Sequence, residues 1–158
     1  LSSASSTRPA CLTCNLFAHC KTPFMRPFVP KGWTKRLLIV GEAPGEHEDE
    51  TSHRPFTGTA GLLLYELCQE AGYLPVDIAL VNSVRCRPRR NATPTMRQVR
   101  ACRPFLLRVL EVLRPRIVLG VGGVALKSLT DKGNANVTKS RGRVLVVPGL
   151  PVAGVGGV

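Results

Sequence analysis

Three runs of Ile, Val and Leu, at about 36–41, 78–84 and 116–121, constrain this chain more than any other feature. None of them alternates with polar residues. A strand with one wet face alternates, whereas a strand covered on both faces reads as a continuous apolar run, as in a parallel sheet. Helical patterns lie between them. The first covers about 60–72, through Ala60-Gly61-Leu62-Leu63-Leu64-Tyr65-Glu66-Leu67-Cys68, and stops at Gly72. The second covers about 95–113, with Val99, Cys102, Leu106, Val109, Leu110 and Leu113 recurring every three or four residues. Pro104 should distort its first turns or mark where the regular helix begins. A short helix at about 123–130 follows the third run. A fourth strand is expected at 143–148, and Leu150–Val155 offers a fifth. Strands alternating with helices predict an α/β fold, a three-layer α/β/α sandwich around a central, mainly parallel four-stranded sheet. Residues 1–10 read as a disordered tail and 11–158 as a single domain, with no internal repeat.

Charge narrows the partners. The 158 residues carry 22 Lys and Arg against 10 Asp and Glu, a formal net charge of +12. Many of the cations are arginines between Arg85 and Arg116. Such an excess points to a polyanion, because neutralised phosphates release counterions and give salt-dependent affinity. No apolar run approaches the roughly 20 residues of a membrane span. The opening Leu-Ser-Ser-Ala-Ser-Ser lacks the pattern of a signal peptide, so a cytoplasmic, monomeric protein is expected.

Six cysteines in a chain with parallel-sheet patterning suggest a metal or cluster more than a disulfide scaffold. Cys11-Leu-Thr-Cys14 is a CxxC in a segment without core periodicity, and fifteen residues separate Cys86 from Cys102. Thiolates so spaced can converge on tetrahedral zinc or on a four-iron cluster, and spacing does not separate the two. Cys68 fits the apolar face of its helix, and Cys20 is an extra thiol able to compete with Cys11 or Cys14.

The loop after the first strand is the most distinctive segment. It runs Gly41-Glu42-Ala43-Pro44-Gly45-Glu46-His47-Glu48-Asp49 and closes with Arg54-Pro55-Phe56-Thr57-Gly58-Thr59-Ala60-Gly61. Open α/β sheets build their sites at the carboxyl ends of strands. Glycines there let backbone approach a flat ligand, and prolines hold the loop's shape. Phe56 suits stacking on a flat ligand or plain core packing, while Glu42 and Glu48 suit catalysis or simple solvation. Asn82 interrupts the second apolar run near its end, and a buried carboxamide there must find partners. Arg85, Arg87, Arg89 and Arg90 alternate with Cys86 and Pro88 in a basic loop. The Gly120-Val-Gly122-Gly-Val-Ala125 string is a weak dinucleotide signal, since it follows the third strand and no acid lies about 20 residues on. Phosphate binding or nucleotide hydrolysis is remote without a Gly-Lys-Ser/Thr loop.

Together these motifs resemble the iron–sulfur branches, families 4 and 5, of the uracil-DNA glycosylase superfamily. The resemblance runs from Cys11 to about Arg143 and is nearest family 4. It implies a DNA repair enzyme that flips uracil from single- or double-stranded DNA and hydrolyses the N-glycosidic bond, leaving an abasic site. Cys11, Cys14, Cys86 and Cys102 match the four ligands of a structural 4Fe-4S cluster, with Cys86-Arg87-Pro88 intact. Gly41, Glu42, Ala43, Pro44, Gly45, Phe56 and Asn82 match the uracil pocket, with Glu42 and Glu48 as its catalytic acids. Asn82 presents a donor and an acceptor side by side, as uracil O4 and N3–H require. Phe56 would stack on the flipped base. Arg85, Arg87, Arg89 and Arg90 would face the DNA backbone. Two departures stand out. The chain is one residue longer around Ser52-His53 than the family pattern, which weakens His53 as a site residue. Gly157-Val158 also stand where the family's His-Pro motif is expected, so the C-terminus reads as truncated or altered. A weakly active or inactive uracil- or DNA-binding module of the same fold is the alternative.

Overall fold

The structure is a computed structural model, described here for residues 14–151. Cys11, the 1–10 tail, most of the Leu150–Val155 strand and the 157–158 position lie outside the described residues. Three parallel strands form the sheet: β1 (Leu37–Gly41), β2 (Ile78–Asn82) and β3 (Ile117–Gly120), in the order β2-β1-β3. Register pairs Leu37 with both Ile78 and Ile117, and it sets Gly41 directly beside Asn82 at the carboxyl ends. Helices α1 (Thr59–Glu70), α2 (Met96–Leu113), α3 (Gly123–Thr130) and α4 (Val137–Ser140) follow in chain order.

Each sheet face is covered, which is why β1 and β2 carry no polar alternation. Leu38, Val40, Ala79 and Val81 pack against Leu106 and Leu110 of α2 and Ala125 and Leu129 of α3. Leu37, Ile39, Ile78 and Leu80 face the other way, onto Leu64, Tyr65 and Cys68 of α1. Burying each large apolar side chain contributes roughly 1.5–3 kcal/mol, so this two-sided core is the fold's main driving force. The three layers and the parallel sheet are those expected from the sequence.

Several details differ. The fourth strand at 143–148 is not formed, and Val144 is 97% exposed. Positive-φ glycines, Gly142 at 71° and Gly149 at 76°, put turns on both sides of this short run. Pro148 also lacks the N–H a ladder needs. With no strand beyond it among the described residues, β3 is an edge strand, and Ile117 is 49% exposed. Pro104 does not mark the start of α2. That helix begins at Met96 behind a capping box in which Gln98 N–H donates to Thr95 Oγ1 and Gln98 Oε1 accepts from Thr95 N–H.

The opposite sheet edge has a cover the sequence did not announce. Phe28 and Leu80 exchange two backbone hydrogen bonds of 2.8 Å as an isolated antiparallel bridge. Met25 N–H donates to the Arg85 carbonyl at 2.8 Å. The segment around residues 22–30 therefore straps the outer edge of β2 and covers its ladder at Leu80.

Candidate functional site

The loop after β1 begins as a continuation of the ladder. The Gly41 carbonyl accepts from the Ser83 backbone N–H at 2.9 Å and from Ser83 Oγ at 2.7 Å. Val84 N–H donates to the Glu42 carbonyl at 2.9 Å. These bonds carry the loop rigidly off the sheet, and Pro44 is fully buried beneath it.

At this point Gly41, Phe56 and Asn82 come together. A Cβ on Gly41 would stand 2.5 Å from Phe56 Cζ and 2.6 Å from Asn82 Oδ1, so only glycine fits. Asn82 is 8% exposed, and its carboxamide makes no hydrogen bond to any described residue. The amide keeps a donor and an acceptor side by side at the strand end. Phe56 is half-buried: it packs partly on the Leu37–Ile39 face and leaves the rest of its ring open. Its backbone has φ 60°. The Phe56 carbonyl also lies where a Cβ on Gly61 would be, so the start of α1 can approach only because residue 61 has no side chain. Gly61→Ala should destabilise the fold by about 3 kcal/mol and displace Phe56, read as a lower denaturation midpoint at constant m-value. An unchanged midpoint would show that the approach is not tight.

The two acids have different surroundings. Glu48 Oε2 accepts from Gly45 N–H at 2.9 Å and Oε1 from Gly58 N–H at 3.4 Å, so Glu48 staples the two halves of the loop. Glu42 is half-buried, and burial pushes its carboxyl above the usual carboxylate range because the charged form loses water. Ser52 ends a π-helical turn, Glu48–Ser52, in which His53 N–H donates to the Glu48 carbonyl at 2.9 Å. His53 faces away into a bond with Thr22 Oγ1 at 2.6 Å.

Asp49 was not readable as important from sequence, since an acid among Glu46, Glu48 and Glu50 looks solvated. In the fold it is 2% exposed and accepts from Thr22 N–H at 2.7 Å and Lys21 N–H at 3.1 Å. It thus fastens the segment after Cys20 to the loop.

The four arginines divide two and two. Arg85 turns inward, donating to the Met25 and Phe24 carbonyls at 3.0 and 2.7 Å and lying over the Phe105 ring. The Arg87 side chain is 14% exposed and meets Glu50 at 2.9 Å, Glu46 at 3.3 Å, Asp49 at 3.9 Å and Asn91 at 2.7 Å. Both are tied to the fold by these contacts. Arg89 and Arg90 are exposed, and they line a groove with His19, Asn91, Glu46, Glu50 and the partly exposed Arg87.

The cysteines gather on the same side. Cys86 and Cys102 are buried with Leu16, Val84, Val99 and Val124, and Cys14 and Cys20 pack against them. Ala43 of the loop packs on this group too. Phe24 N–H donates to Cys86 Sγ at 3.3 Å, and burial pushes the Cys86 thiol well up. Cys68 lies apart, in the α1 core, as its helical periodicity indicates. Among the described residues no three His, Cys, Asp or Glu side chains meet at one point to hold a single ion. A four-iron cluster asks for something else, since each thiolate takes a different iron and the sulfurs stand apart around it. Cys14, Cys20, Cys86 and Cys102 share this apolar pocket, with the Phe24 N–H aimed at Cys86 Sγ.

The Gly120 string resolves as packing. A Cβ there would come within 3.1 Å of Leu129 Cδ1 and 3.8 Å of Ala125 Cβ, so the glycine brings α3 onto β3.

A strand-end loop thus meets a neighbouring strand's carboxamide beside a thiol pocket, on a parallel α/β fold. Comparison with known families makes this specific. Residues 28–150 match the uracil DNA glycosylase superfamily, and the chain belongs to that superfamily. It is 44% identical over 107 residues to a Type-4 uracil-DNA glycosylase of Thermotoga maritima, covering 68% of this chain and 55% of that protein. A Type-4 uracil-DNA glycosylase of Sulfurisphaera tokodaii is 36% identical over 143 residues, 87% of this chain and 62% of its own length. A Type-5 uracil-DNA glycosylase of Thermus thermophilus is 38% identical over 108 residues, 60% of this chain and 49% of that protein. The chain spans about half the length of the curated relatives it matches. No helix among the described residues is long and apolar enough to cross a membrane.

Proposed function

We propose that this protein excises uracil from DNA by hydrolysing the N-glycosidic bond, acting as a monomer inside the cell on single- or double-stranded substrate. The observation that carries this reading is the meeting of Gly41, Phe56 and the unpartnered carboxamide of Asn82 at the carboxyl ends of β1 and β2. A flipped uracil stacks on the open part of the Phe56 ring. Asn82 donates to uracil O4 and accepts from N3–H. Cytosine carries an amino donor at position 4 and no proton on N3, so the same fixed amide meets it donor to donor.

Chemistry then needs position and electrostatics more than a covalent partner. The C1′–N1 bond breaks with its electron pair leaving on uracil, while the sugar takes oxocarbenium character. Water adds its oxygen to C1′ and gives up a proton. Glu48 is occupied with two backbone N–H groups, so Glu42, whose carboxylate is uncommitted, is the acid that orients this water. Arg89 and Arg90 bind the backbone phosphates.

Cys11, Cys14, Cys86 and Cys102 would hold a 4Fe-4S cluster, which braces the loops when bound. The residues present fit it, because three of the four thiols share a pocket with a sulfur-directed N–H.

The test is turnover. Incubated with a uracil-containing single-stranded oligonucleotide, the protein should generate alkali-labile abasic sites, and a thymine control should stay intact. Affinity for the strand should fall by about 0.9 log units per log unit of salt for each phosphate neutralised on duplex DNA, and about 0.7 on single strands. Equal, salt-sensitive binding of both oligonucleotides with no abasic product would reject excision and leave only a DNA-binding module.

A further inference from the structure

Arg87 follows Cys86 directly, yet its guanidinium ends among the acids of the π-helical turn that follows β1. It reaches Glu46 at 3.3 Å, Asp49 at 3.9 Å and Glu50 at 2.9 Å. Within that turn sits Glu48, whose carboxylate holds Gly45 N–H at 2.9 Å and Gly58 N–H at 3.4 Å. Gly58 follows Phe56 by two residues, and Gly45 follows Gly41 by four. A second tie enters from the other cysteine segment, where Asp49 accepts from the backbone of Lys21 and Thr22 just past Cys20. Two thiol-bearing segments therefore grip one acidic turn, and that turn fixes both halves of the loop around the candidate base pocket.

We infer that Arg87 is a positioning residue that couples the cysteine centre to the base pocket, acting through Glu48, and is not a phosphate contact. The inference rests on the uracil-pocket reading for what the coupling serves, but the coupling itself is a property of the fold. Three features favour it over a DNA contact. The side chain is 14% exposed, its partners already neutralise it, and its Nε is bound to Asn91 Oδ1 at 2.7 Å. A charge-assisted network of this kind is costly to break on one side only, because the acids left behind repel one another. Planar forked donors also serve several carboxylates at once, which a lysine ammonium does not do in the same geometry.

The experiment compares Arg87→Met with Arg89→Met in the full chain carrying its iron. In folded Arg87→Met, hydrogen exchange at the Gly45 amide should quicken about tenfold or more, and Gly58 should follow. Arg89→Met should leave both amides as they were. Iron content should hold in both variants. The slope of log affinity against log salt, measured on DNA, should be unchanged in Arg87→Met and should fall by nearly one in Arg89→Met. Adding Glu48→Gln to Arg87→Met should produce little further exchange, since both act on one bond. Unaltered Gly45 protection in folded Arg87→Met would overturn the coupling, as would a salt slope that drops by about one. Should Arg87→Met fail to fold, Glu50→Gln loosens the same network from its exposed end, and must then quicken Gly45 exchange for the inference to stand. The exchange readout needs no uracil, so loss of the glycosylase reading and loss of the coupling show up in different measurements.

Discussion

Asn82→Asp should lower the rate of uracil excision by about 10²–10³-fold at neutral pH. The residue ends β2, is buried to 8% exposure, and stands beside Gly41, where nothing larger than a hydrogen fits. Replacing the amide with a carboxylate removes the donor to uracil O4. It also sets a negative charge against a base that departs as an anion, so ground-state and transition-state interactions both suffer. The sign with pH is definite. Burial disfavours the charged form and raises the pKa of the new acid, so below that pKa residue 82 is protonated and again carries a donor. Activity of the variant, relative to the parent, should therefore recover as pH falls and be lost as pH rises. Single-turnover rates on a uracil oligonucleotide across pH measure this, and thermal unfolding separates damage to the fold. A folded Asn82→Asp with parental rates at neutral pH would mean that the carboxamide does not read the base.

The residues behind this prediction were legible in the sequence for a physical reason. Gly41, Phe56 and Asn82 each violate the rule of their neighbourhood: a glycine at the end of a Val-rich strand, an aromatic in a polar loop, an amide in an apolar run. Departures of that kind mark places where local consistency is given up for a site. β1 and β2 were readable because both faces are buried, and the helices because one face is. β3 was readable as an apolar run too, but its edge position and the missing fourth strand were not, since an apolar run does not say whether a partner lies beyond it. Gly142, Pro148 and Gly149 held the better information there. The strap at 22–30, the Asp49 tie and the Arg87 network were illegible for a different reason. Each depends on a pairing across 28 to 60 or so residues, such as Lys21 with Asp49 or Met25 with Arg85, and charge alone does not name its partner. Reading Arg85 and Arg87 as DNA contacts followed from composition. Ion pairs and partial burial set them apart from Arg89 and Arg90.

Cys86→Ala should do more harm to the fold than any other single cysteine change. Cys86 is 3% exposed at the centre of the pocket that joins the strap, α2 and the loop through Phe24, Val99 and Ala43. If the four-iron cluster is the staple proposed, its binding free energy is folding free energy, because no such site exists in the unfolded chain. A domain with a net stability of about 5–15 kcal/mol does not survive the loss of such a term. The informative comparison is Cys68→Ala, a buried thiol in the opposite core with no ligand role, which should cost only about 1 kcal/mol for the lost sulfur. Purified without oxygen, the parent should hold about four irons with matching sulfide and be brown. Cys68→Ala and Cys20→Ala should keep that content, whereas Cys86→Ala should lose it and be recovered unfolded or insoluble. Stoichiometric zinc without iron or sulfide in the parent would replace the cluster by a single-metal site. Full iron and parental stability in Cys86→Ala would remove Cys86 from the ligand set. The contrast between Cys86 and Cys68 is the sharper test, because both thiols are buried and both are pushed up by burial, and only their neighbours differ.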